Sequence, residues 1–164
     1  MIELEKALTG DSAFTPPAHI LEGVPNSLAH QRQPGATHSI YEELWHVAYW
    51  QRLSLDWARG VETPVPDHAA EGFPNASQSN KEQWPDLCNR FLREASEAAE
   101  LTRDPEVLKQ RIQCPSPPGV ATRTMTVHDQ LESLAAHNAY HLGRIVLLRQ
   151  LAGSWPPKSG GFTW

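Results

Sequence analysis

The chain has 164 residues, a formal net charge of −5 and 14 Lys and Arg that gather on no single predicted helix. That distribution argues against a nucleic-acid groove, which needs a basic footprint to neutralise phosphates, and disfavours an acidic membrane surface as well. No run of about eighteen apolar residues occurs and the acidic start MIELEKALTGD lacks a signal-peptide core, so the expectation is a soluble cytoplasmic protein forming one domain over residues 1–164.

In chain order, residues 2–8 are expected to form a helical turn. A short helix over 17–31 follows, with Pro17 in its first turn and Ile20, Leu21, Val24 and Leu28 as its apolar stripe; Gly23 and Pro25 should kink its middle. His19 and His30 read as surface residues, and Gln33-Pro34-Gly35 as a turn. Residues 39–60 form a long helix: Ser39 and Glu42 make a capping box, Ile40, Leu44, Val47, Trp50, Leu53, Leu55 and Trp57 recur at helical spacing, and Gly60 stops it. Residues 61–79, with three Pro and one Gly, are an irregular connection that crosses the bundle. A third helix spans about 80–102 along Trp84, Leu87, Cys88, Phe91, Ala95, Ala98 and Leu101, and Pro85 moves its true start toward 83. Residues 103–125 are a second long link, barred from helix by Cys114-Pro115-Ser116-Pro117-Pro118-Gly119. The longest helix covers 126–153, capped by Thr126 with Asp129 three residues on and ended by Gly153. The tail carries Trp155, Phe162 and Trp164, aromatics expected to pack on the bundle. Four helices with two long connections predict an all-α four-helix bundle with crossover connections. Two cysteines, Cys88 in a helix and Cys114 in a loop, lack zinc-finger spacing and read as reduced thiols.

Where apolar side chains are expected on the last helix, the sequence places His137 and His141. Four residues at about 100° each return to within about 40° of the start, so both imidazoles point the same way about 6 Å apart along the axis. His46, on the face shared by Glu43, Tyr49, Trp50, Leu53 and Trp57, can meet them from a facing helix. Neutral imidazoles suit Zn²⁺, Ni²⁺ or Fe²⁺, and three protein ligands leave a position open for water or a thiol. The competing reading is three partly buried histidines satisfied by carbonyls, and spacing alone leaves both readings open. Gln130 and Arg144, each seven residues from His137, are candidates to line the pocket, and Glu42 or Glu43 to orient His46. Asn138 and Tyr140 should point elsewhere on the helix. No residue is singled out as a catalytic acid, base or nucleophile, and no phosphate loop or nucleotide fingerprint is present.

The pattern Ser-Ile-x-Glu-x-x-x-His-x-x-Tyr-Trp at 39–50, His-Asn-Ala-Tyr-His-Leu-Gly-Arg-Ile-Val at 137–146, and the closing Trp155-Pro156-Pro157 to Trp164 resemble the DinB-like (YfiT-like) metal-dependent superfamily over nearly the whole chain. The resemblance implies a divalent metal held by His46, His137 and His141. It also implies a choice of activities: members with assigned reactions include S-transferases that use bacillithiol or mycothiol and a mycothiol-dependent isomerase, while many have none. The expected partner is a small-molecule substrate, with a low-molecular-weight thiol as the leading candidate and a homodimer left open. A metal-dependent thiol transferase, a metal-dependent hydrolase and a noncatalytic metal- or small-ligand-binding bundle are the readings carried forward.

Overall fold

A computed structural model describes residues 3–10, 13–79 and 81–160. The architecture is predominantly helical, with a single two-stranded sheet among the described residues. Its centre is α4 (Ile40–Ala58), which packs against both α6 (Trp84–Leu101) and α8 (Val127–Leu151). Local chemistry sets each boundary. Ser39 accepts from the Glu42 backbone N–H while the Glu42 side chain accepts from the Ser39 N–H, and Thr126 and Asp129 repeat the arrangement at the start of α8. Pro85 sits in the first turn of α6, where its missing N–H breaks no helical bond, so the helix starts at Trp84 as the proline demanded.

The fourth column of the bundle is not the single kinked helix expected over 17–31. It consists of three short pieces, α1 (Glu3–Thr9), α2 (Pro17–Leu21) and α3 (Asn26–His30). Gly23 takes φ +67° and Pro25 precedes α3, so the anticipated kink is a full break. The helical turn expected over 2–8 is α1, packed on α6 and α8. His30 is exposed and stacks on Tyr41, whereas His19 is half-buried with its ring edge against Trp155.

The 103–125 segment also departs from expectation. Asp104 caps α7 (Pro105–Lys109), and an antiparallel hairpin follows, β1 (Arg111–Cys114) with β2 (Arg123–Thr126), in the register Arg111 to Thr126 and Cys114 to Arg123. Ile112 and Cys114 face inward and Arg111 and Gln113 outward, the period of two that a half-buried strand requires. Cys114 is therefore a buried strand residue rather than a loop thiol. Thr126 ends β2 and caps α8 at once, which fixes the hairpin to the helix that carries two of the histidines.

The crossover after α4 holds a 3₁₀ turn at Ala69–Gly72 and a short α5 (Ala76–Ser79), and the Trp57 indole N–H pins its start by donating to the Thr63 carbonyl at 2.7 Å. At the far end, buried Arg149 donates to the carbonyls of Ile20 and Ser154 and lies over the Trp155 ring, tying the first residues of the tail to the bundle. Phe162 and Trp164 lie outside the described residues. Among the described residues, no helix is long and apolar enough to cross a membrane.

Candidate metal centre

The structure brings the three sequence-predicted histidines together. His46 comes from the middle of α4, and His137 and His141 lie one turn apart on α8; one ring nitrogen from each falls within 4.8 Å of the others. Ring centroids are 5.2 Å apart for His46 and His137, 4.5 Å for His46 and His141, and 4.6 Å for His137 and His141. His46 is 9 % exposed and His141 8 %.

Hydrogen bonds fix which nitrogens face inward. His46 Nδ1 donates to the Gly72 carbonyl at 2.8 Å, and His141 Nδ1 donates to Glu43 Oε2 at 2.7 Å. Since a carbonyl and a carboxylate accept only, both rings carry a proton on Nδ1, and in the neutral form of each ring the Nε2 lone pair is the one left to face inward. His137 Nε2 lies 3.2 Å from His46 Nε2, and His137 Nδ1 is buried without a partner. Two nitrogens bound tetrahedrally to one ion at about 2.0–2.1 Å are about 3.3 Å apart, so that spacing suits two ligands of one metal. Without an ion, the same pair is a hydrogen bond from His137 to His46.

Electrostatics favour the ligand form of His46 and His137. Burial pushes His46 below the usual imidazole range, and burial with the two neighbouring histidines pushes His137 down to about 4, so both stay neutral. At Glu43 burial pulls upward, but the hydrogen bonds from His141 and Arg144 outweigh it and hold the carboxyl below its usual range. Glu43 is thus a fully buried carboxylate with one oxygen on His141 and the other paired to Arg144 at 2.8 Å. These donors fit a metal: ring nitrogens from three histidines converge, and a carboxylate backs one of the rings, the arrangement that raises a ligating imidazole's basicity.

A family model described as the DinB superfamily matches residues 18–145, a span that contains all three histidines and Glu43. The chain belongs to the DinB superfamily. No curated protein matches it. Superfamily membership and the histidine group are together consistent with metal binding.

For this DinB-superfamily chain, several expectations about the surrounding residues need correction. Neither Glu42 nor Glu43 orients His46. Glu42 is taken up by the cap and by Arg32, and Glu43 serves His141. Arg144 acts by pairing Glu43 instead of lining the cavity beside His137. Asn138, as expected, points elsewhere on the helix, into the core, donating to Gln51 Oε1 at 2.9 Å. What orients His46 is the Gly72 backbone, and Phe73 stacks on the ring at 4.1 Å with His38 on the far face of Phe73 at 3.8 Å. A carbonyl leaves no mark in a sequence; the one available signal is Gly72 itself, where an added Cβ would lie 3.2 Å from Trp50 Nε1 and 3.4 Å from His46 Nδ1. A second acidic group, His128, Asp129 and Glu132, lies at the start of α8, where Asp129 is occupied by the cap.

Beside His137 opens a cavity of about 460 Å³, walled by Trp50, Trp57, Val65 and Leu134 and by the hairpin loop at Pro115 and Val120. Gln130 lines it, as its position on α8 suggested, but its amide is engaged, donating to Ser54 at 2.9 Å and facing the Cys114 thiol.

Proposed function

We propose that the protein is a divalent-metal-dependent enzyme, with His46, His137 and His141 as ligands, that activates a low-molecular-weight thiol for transfer to an organic electrophile. The observation that carries this reading is the convergence of three imidazoles, one of which, His137, lines a largely apolar cavity, with no carboxylate among the converging groups. Imidazole suits Zn²⁺, Ni²⁺ and Fe²⁺ alike. A bound ion would supply a Lewis acid with an open position, able to lower the pKa of a thiol or of water.

The chain's own residues favour the thiol. Arg144 already balances the Glu43 charge, so the protein offers a dipositive centre little compensating charge and the open position favours an anion such as thiolate. Trp50, Trp57 and Leu134 present apolar faces that suit an organic electrophile and limit water at the reacting atoms. Gly72 holds His46, and Glu43 holds His141, each in the tautomer that directs Nε2 inward.

A panel of low-molecular-weight thiols against model electrophiles, run with metal-loaded and metal-free protein, tests the proposal. Metal-dependent conjugation faster than the uncatalysed reaction is expected for at least one thiol. Metal-dependent hydrolysis with no conjugation by any thiol overturns it in favour of water activation.

A further inference from the structure

We propose that the cavity beside His137 takes an organic acid and that Arg123 pairs its carboxylate, making Arg123 a specificity determinant. This deepens the proposed function by naming a substrate class, and it rests on that reading only for the identification of the cavity as the substrate site.

The argument starts from charge accounting. In a chain of net charge −5, most arginines are neutralised by an acid: Arg52 by Asp56, Arg59 by Glu97, Arg90 by Glu82, Arg103 by Glu5 and Arg144 by Glu43. Arg123 forms no ion pair among the described residues, yet it lines the cavity that His137 also lines. Its place is fixed by the hairpin register, where it stands opposite buried Cys114 at the mouth of the Pro-rich loop.

The other polar groups of the lining narrow the ligand. Ser54 and Gln130 satisfy one another, and Ser54 also donates to the Trp50 carbonyl, so the inner wall behaves as apolar surface. Ser116 and Ser133 remain as hydroxyls able to support a bound carboxylate. Asp67 lines the same cavity but makes no ion pair with Arg123, and its negative field disfavours a dianion such as a phosphate monoester while leaving room for a monoanion. Apolar walls, an inner end at His137 and an unpaired guanidinium therefore match a ligand with an apolar body and one carboxylate, and a guanidinium reads a carboxylate in bidentate fashion.

The test uses the full chain, metal-free, so that it does not depend on turnover. Calorimetric titration with 4-phenylbutyrate and with its uncharged amide compares wild type, Arg123→Gln and Arg123→Glu. Wild type should bind the acid about fivefold more tightly than the amide, the upper range for an ion pair at an exposed arginine. Arg123→Gln should bind the two equally, and Arg123→Glu should favour the amide. Equal affinity in wild type, binding of neither probe, or a preference for the acid that survives in either variant overturns the proposal. If thiol transfer fails while the acid preference holds, the proposed reaction falls and this site stands; transfer without the preference gives the reverse.

Discussion

Replacing Glu43 by Gln isolates the contribution of the buried carboxylate without changing the shape of the core. Glu43 is 0 % exposed, receives the His141 Nδ1 proton at 2.7 Å and pairs with Arg144 at 2.8 Å. Hydrogen bonds to a charged acceptor contribute about 1.5–3 kcal/mol and neutral ones about 0.5–1.5, so Gln should weaken the hold on His141 by about 1–1.5 kcal/mol. That alone is about a tenfold loss of metal affinity, and partners of ligating histidines are typically worth about 10–100-fold. Arg144 has a side chain 39 % exposed and can be hydrated when its partner loses charge, so the metal-free fold should lose little beyond that ~1–1.5 kcal/mol. Competition titration of metal-free protein against a chelating dye measures the affinity, and thermal melting of the same metal-free samples measures the fold. A Glu43→Gln affinity within twofold of wild type, alongside loss of binding in His141→Ala, would refute the assignment of Glu43 as the group that holds His141 for the metal.

Elemental analysis should find about one divalent ion per chain in wild type and a clear loss in His137→Ala and His141→Ala; unchanged content in both removes the ligand assignment. Chelation should lower Tm, because an ion at a hundredfold excess over Kd stabilises by about 2.7 kcal/mol, or about 5–11 °C for a chain of this size. Glu94 is 3 % exposed, and burial raises its carboxyl above the usual range despite Arg90 and Arg52 nearby. The folded state therefore holds that proton more tightly than the unfolded one: the cost of ionisation is absent below the unfolded pKa and appears as pH rises through the folded pKa. Glu94→Gln should accordingly raise Tm by about 1–2 °C at pH 8 and leave it unchanged near pH 4, and equal shifts at both would contradict the burial argument. Burial pushes the Cys88 thiol up to about 12 and raises Cys114 as well, so neither should be alkylated by iodoacetamide at pH 8 until the chain unfolds, as read by mass spectrometry.

The parts legible in the sequence were those encoded locally. α4 and α8 carry capping boxes at their starts and long apolar stripes, so their bounds and the relation of His137 to His141 follow from helical geometry alone. The hairpin was illegible because each strand has only four residues, β1 offers just Ile112 and Cys114 as inward positions, and a Pro-rich loop separates the pair. Those strands are stable by virtue of the bundle they lean on, a tertiary cause no local pattern records. The break between α2 and α3 was visible as Gly23 and Pro25, but its size was not. Glu43 and Arg144 were both noticed, yet their pairing depends on the rotational phase of α4 against α8, which a single sequence does not specify.

The dependence of His46 on a backbone carbonyl makes the length of the crossover a ruler for the site. From Gly60 to Gly72 the chain must arrive with the Gly72 oxygen 2.8 Å from His46 Nδ1. One inserted residue shifts an extended path by up to about 3.3–3.6 Å, more than the whole reach of a hydrogen bond. Such an insertion would leave every histidine in place and still free the His46 ring to turn or to change tautomer. Between Gly60 and Gly72 this control lies in chain length, whereas at Gly72 itself a side chain would crowd Trp50 and His46. The hairpin tip between Pro115 and Thr122 carries no such measure, so chain length can drift there and reshape the cavity while the histidine geometry stays fixed.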